Sequence, residues 1–149
     1  IFNCPYSKES EMPQIEKSIL IVEGPGASLV AMVEILRNKE ELRNIPINVE
    51  VRASYQSALK YVAEQEPTVL STCMQMPQFD NDRRGGHWGI NLVQQVMKRY
   101  PQTTIFIYSW LDLEEIVYYI PSLPQDQILK KGNVVVWADK VLDLASKNR

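Results

Sequence analysis

A chain of 149 residues with 45% apolar and 23% charged side chains has the size and make-up of one soluble domain. Sixteen Lys and Arg against 18 Asp and Glu leave a net charge of −2, without the basic excess that a nucleic-acid partner requires. Two cysteines cannot build a disulfide framework, and no apolar run approaches the roughly 20 residues of a membrane span, so no membrane contact is expected and a reducing cytosol is the expected setting.

Residues 1–17 carry two prolines, several charges and no apolar period, and read as an arm or linker before a domain over 18–149. No signal peptide is read there, and the start at Ile1 is what a piece of a longer protein would show. Ser18 to Val22 reads as a first strand, broken by Gly24-Pro25-Gly26. Leu29, Met32, Val33 and Leu36 then fall at helical spacing, and a polar connection runs from Asn38 to Pro46. Ile47 to Val51 alternates as a strand should. Ser54 is the expected N-cap of a helix through Ala58, Leu59, Val62 and Ala63, which Pro67 ends. Thr68 to Cys73 is the third predicted strand, and Met74 to Gly89 a loop. Ile90, Val93 and Met97 mark a third helix, stopped by Pro101. The run Thr104 to Tyr108 has the continuous β-rich pattern of a strand buried on both faces. Asp112 with Glu115 predicts a capping box for a fourth helix through Ile116 and Tyr119. A short strand at Gln127 to Lys130 follows, and Gly132-Asn133 opens a last helix with Val134, Trp137, Ala138, Val141, Leu144 and Ala145 on one face. Strands alternating with helices imply parallel pairing. The expected architecture is an α/β class, three-layer α/β/α sandwich, a flavodoxin-like doubly wound sheet of order 2-1-3-4-5. A site in that fold belongs at the carboxyl ends of its strands, here Glu23, Cys73, Ser109 and Lys131.

At those strand ends the chain resembles the receiver (CheY-like) domains of bacterial response regulators, over about Ser18 to Asn148. Pro67-Thr68-Val69-Leu70-Ser71-Thr72-Cys73-Met74-Gln75-Met76-Pro77 follows the family's run through the phospho-acceptor, with Cys73 where the aspartate stands. Glu23-Gly24 takes the place of an acidic pair. Tyr108-Ser109-Trp110 matches a hydroxyl residue followed by a small one, and Leu129-Lys130-Lys131-Gly132 a lysine–proline ending. The resemblance implies aspartyl phosphorylation with Mg²⁺ held by oxygen ligands, and the departures remove it. Cys73 offers soft sulfur and cannot form the acyl phosphate, and Gly24 removes a second carboxylate. Trp110 replaces a small residue and is expected to cover or fill the pocket, and Ile128 stands at the aromatic switch position. The chain therefore looks like a pseudo-receiver, with Glu23, Gly24, Cys73, Ser109, Trp110 and Lys131 as a degenerate acceptor pocket.

Each of these residues also has a plainer reading. Cys73 is expected to be a small buried side chain, with a redox or metal-sensing thiol favoured by a nearby Lys131 as the alternative. Lys131 is expected to pair with Glu23, its alternative being an anion site. Gly24 to Ser28 reads as a tight turn, since it lacks the third glycine of a dinucleotide loop and the Gly-Lys-Ser/Thr of a P-loop. The long connection over 78–88 carries Asp80, Asp82 and His87, whose metal-ligand reading has no second cluster to complete it. A solvated loop is expected there, and partner contact through Arg83, Arg84 and Trp88 is its functional reading. A Cys73–His87 dyad lacks an orienting third group. Tyr118, Tyr119 and Trp137 are further candidates for a partner surface.

The expected function is signalling through protein partners (a sensor kinase, a clock component or an output domain), without phosphotransfer, catalysis or cofactor. The resemblance also implies a homodimer through the fourth and fifth helices. The alternatives are a receiver-like sensor that binds a small ligand or reacts through Cys73, and a flavodoxin-like flavin or phosphate binder.

Overall fold

Ile19 and Ile21 of the first strand point to one side of a sheet and Leu20 and Val22 to the other, and all four are fully buried. A strand can bury both faces only when each face is covered, and helices do so here. The structure, a computed structural model, describes residues 17–24, 27–44, 46–82 and 84–147. Its strands are β1 (Lys17–Val22), β2 (Ile47–Arg52), β3 (Val69–Thr72), β4 (Thr104–Ser109) and β5 (Ile128–Lys130). Between and after them run α1 (Ala27–Arg43), α2 (Tyr55–Glu64), α3 (Trp88–Arg99), α4 (Leu113–Tyr119) and α5 (Val134–Lys147), with a 3₁₀ turn over Gln125–Gln127. The sheet is parallel throughout, in the expected order β2-β1-β3-β4-β5. The arm expected over 1–17 lies outside the described residues except for Lys17, the first residue of β1.

Two cores flank the sheet. On one side Ile19, Ile21, Val69, Phe106 and Tyr108 meet Met32 and Leu36 of α1 and Trp137, Ala138, Val141 and Ala145 of α5. On the other, Leu20, Val22, Leu70, Ile105 and Ile107 meet Ala58 and Val62 of α2, Leu92, Val93 and Val96 of α3 and Ile116 of α4.

Ser54 caps α2 as expected, its hydroxyl accepting from the Ser57 amide while Ser57 returns the contact to the Ser54 amide. Three expectations need correction. The polar stretch from Asn38 is helical to Arg43, because charge pairs tie it to α5: Lys39 to Asp139 at 3.0 Å and Arg43 to Asp143 at 2.6 Å. Glu40 also accepts from the Ile47 amide, and Asn44 ends the helix with a left-handed φ of 54°. Asp112 is the N-cap of α4 but makes no side-chain cap, since its carboxylate goes to Lys130 Nζ. Trp137 presents no partner surface. It is fully buried, stacked on Tyr108 at 5.9 Å, and its indole N–H donates to Ser71 Oγ at 2.8 Å. A tryptophan can be buried this deeply when its one polar atom finds an acceptor, and Ser71 supplies it from the middle of β3.

Candidate functional site

The carboxyl ends of β1, β3, β4 and β5 bring Glu23, Cys73, Ser109 and Lys131 to one rim of the sheet, as the sequence order requires. The register is fixed by backbone bonds: Glu23 N–H to the Arg52 carbonyl at 3.1 Å, Cys73 N–H to the Val22 carbonyl at 3.2 Å and Lys131 N–H to the Ser109 carbonyl at 2.9 Å.

Lys131 Nζ donates to Glu23 Oε2, and both side chains are more than nine-tenths buried. The expected pair is therefore formed. Burial holds the Glu23 carboxyl above its ordinary range, opposed by the hydrogen bond and charge of Lys131. Cys73 is only 3% exposed, and its thiol donates to the Gln75 carbonyl at 3.2 Å. Burial, reinforced by the negative charge of Glu23, pushes the thiol from an ordinary 9.0 to about 12. The thiolate favoured by Lys131 is thus overturned: the ammonium lowers the value less than burial and Glu23 raise it. Ser109 is buried, and its hydroxyl accepts from the Leu111 amide at 3.3 Å.

This donor set does not fit the Mg²⁺ that the resemblance implies. A hard divalent cation needs several free oxygen ligands, and the rim offers one carboxylate, already bound to an ammonium, beside a protonated sulfur. No group of three or more His, Cys, Asp or Glu side chains suited to a metal exists among the described residues, Asp80, Asp82 and His87 included. The Cys73 thiol donates to the Gln75 carbonyl and makes no hydrogen bond to His87, whose ring lies edge-on to Tyr119 at 6.5 Å.

Trp110 does not cover the pocket. Its ring is 62% exposed and lines a cleft of about 240 Å³ with Met32, Tyr108, Lys131 and Val134. The chain leaves β4 at Ser109, so the following side chain turns outward, and Cys73 is closed off by its own surroundings. Part of that closure is Gly89, which brings the start of α3 against the end of β3, its N–H donating to the Met74 carbonyl at 3.1 Å. Sequence reasoning passed over Gly89 and Tyr108. Tyr108 alternates with Phe106 on β4, and its hydroxyl accepts from the Gly132 amide at 3.3 Å. Gly132 itself has φ 136°, which a proline ring fixed near −65° cannot adopt. The family's lysine–proline ending is therefore replaced by a different backbone route, not by a neutral substitution.

The loop candidates separate. Arg83 lies outside the described residues. Arg84 is exposed and folded back on Asp82, at 3.2 Å from Nε. Trp88 is half-buried and packs on Tyr55 with ring centroids 5.1 Å apart, so it fastens α3 to α2 more than it offers itself to a partner. The connection is more ordered than a solvated loop, with a parallel bridge between Met76 and His87 and Tyr55 N–H bonded to the Pro77 carbonyl at 3.1 Å. Tyr118 and Tyr119 of α4 are exposed.

Cys73 is expected to be chemically inert. In a Cys4→Ser background, where it is the only thiol, disulfide-reagent labelling at about pH 8 should be roughly a thousandfold slower than in urea, because three pKa units of thiolate are lost. A native rate within tenfold of the unfolded one would contradict this. The shift also has a sign: stability from the protonated thiol is fully present below 9.0 and is lost as pH rises through about 12.

No family model matches the chain, and no curated protein does. Solved structures do. A response regulator receiver domain protein (CheY-like) from Methanospirillum hungatei JF-1 superposes with TM-score 0.67 at 17% identity, covering 89% of this chain and 96% of that one. A two component transcriptional regulator AraC from Clostridium phytofermentans ISDg gives 0.66 at 19% identity, covering 88% and 93%. The isolated REC domain of RcsB from Salmonella enterica serovar Typhimurium, solved with the phosphomimetic BeF3-, gives 0.63 at 18%, covering 90% and 91%. With strand order, direction and length all shared, the chain has the receiver (CheY-like) fold of response regulators.

Proposed function

We propose that this chain is a signalling module that works by binding protein partners, such as a sensor kinase or an output domain, and that it neither accepts a phosphoryl group at the end of β3 nor catalyses a reaction of its own. One observation carries the reading: the acceptor position holds a buried, protonated thiol, beside a carboxylate and an ammonium that neutralise each other. A phosphoryl group there would need a nucleophilic carboxylate and a metal, and neither has the atoms it requires. Loss of the chemistry leaves the surfaces of the fold as the means of action. The cytosol is the proposed setting.

Incubation with acetyl phosphate and Mg²⁺ followed by intact-mass measurement tests the reading. Unchanged mass is expected. A hydroxylamine-sensitive phosphoryl adduct on the folded chain would overturn it.

A further inference from the structure

The sheet has two edges, and β2 is the long one, with six residues against the three of β5. In a parallel pair, alternate residues turn both backbone groups toward the neighbouring strand. Glu23 N–H donates to the Arg52 carbonyl, so Asn48, Glu50 and Arg52 face β1 while Ile47, Val49 and Val51 face outward. A row of outward donors and acceptors of this kind is a template for another strand.

Two side chains occupy the ends of that row. Glu40, in the last turn of α1, accepts from the Ile47 N–H at 2.8 Å. Arg52 folds back so that its guanidinium donates to the Val51 carbonyl at 2.7 Å, held there by Glu50 at 3.3 Å and by the Tyr61 ring at 5.1 Å. Among the described residues, the N–H and C=O of Val49 between them have no partner.

We propose that Glu40 and Arg52 form a latch that closes the β2 edge against a second copy of this chain. The edge is self-complementary about Val49. In an antiparallel two-fold pairing Val49 exchanges both bonds with its counterpart and Ile47 of each copy faces Val51 of the other, so one face matches only β-branched apolar side chains. The latch sits where that pairing needs open groups. The Ile47 N–H and the Val51 carbonyl that would face it are both already bonded. A carboxylate and a guanidinium then stand between the two strands, which cannot close to the ordinary spacing of about 4.8 Å. Neither side chain helps to pair β2 with β1, since both act on groups turned away from it.

Sedimentation of the full chain over a concentration series tests the latch. Glu40→Ala with Arg52→Thr should double the mass relative to the unaltered chain. Adding Val49→Pro, which an edge strand tolerates where its N–H points outward, should restore it. Glu40→Gln with Arg52 intact keeps an acceptor on the Ile47 amide and should not associate. A double variant that melts cooperatively but keeps the mass of the unaltered chain would overturn the proposal, as would a doubled mass that survives Val49→Pro. Hydrogen exchange on the unaltered chain decides even where the double variant fails to fold. The Ile47 amide should exchange about tenfold more slowly than those of Val49 and Val51, the protection given by one hydrogen bond to a charged acceptor. Equal rates at the three amides would show that no latch is closed.

Discussion

Replacing Lys131 with methionine is expected to destabilise the fold by about 3–5 kcal/mol at neutral pH, because it leaves the Glu23 carboxylate buried without its ammonium. The pair itself is a weak source of stability, since removing two charges from water offsets most of their attraction. The asymmetry gives the prediction its shape. Glu23→Leu with Lys131→Met should recover the loss and come out neutral or more stable, whereas either change alone should not. Urea unfolding with an unchanged slope reads this directly. The pH dependence has a definite sign. Burial raises the Glu23 carboxyl, so the stability it contributes is present below the ordinary value of 4.5 and is lost as pH rises through the folded value. Without Lys131 the folded value rises further. The Lys131→Met deficit should therefore be small in acid and grow toward neutral pH, and a deficit that is flat with pH would show that the pair is not what the substitution removes.

Gly89→Ala should be nearly as damaging. A Cβ there would lie 2.2 Å from the Cys73 carbonyl oxygen and 2.7 Å from Met74 Cα. These are backbone atoms at the end of a central strand and cannot rotate away, so α3 must shift from the sheet. A cost of about 3 kcal/mol, the upper end for overpacking, lowers Tm by roughly 6–12 °C in a chain of this size. Gly85→Ala is the control, because a Cβ at that exposed position meets nothing within 4 Å. If both variants melt alike, the close approach of α3 to β3 does not hold Cys73 in place. Labelling of Cys73 should quicken in Gly89→Ala and stay slow in Gly85→Ala.

Much of the fold was legible because its signals are local and periodic. Alternating strands and helices determine the direction of pairing, and Ser54 caps α2 with a residue three positions away. The Glu23–Lys131 pair was legible for another reason: parallel order places the ends of β1 and β5 on one rim, where a buried charge needs its opposite. What was missed depends on distant partners. The polar end of α1 is held by Asp139 and Asp143, about a hundred residues on. Asp112 gave up its cap because Lys130 lies across the strand end. Trp137 is an interior residue because Ser71, 66 positions away, accepts its N–H. Trp110 was assigned to the pocket from its place in the sequence, but the direction of a side chain just beyond a strand depends on how the chain turns there. Gly89 was invisible because only the spacing of α3 from β3 shows why a side chain is excluded.

The central claim, that the acceptor site has lost its chemistry while the fold persists, is tested most directly by titrating the full chain with beryllofluoride and Mg²⁺ while following backbone amides by NMR. The site has no free carboxylate for the metal and no acceptor aspartate for the phosphoryl mimic, so no saturable shifts are predicted at Glu23, Gly24, Cys73, Ser109 or Lys131. Saturable shifts centred on those residues would contradict it.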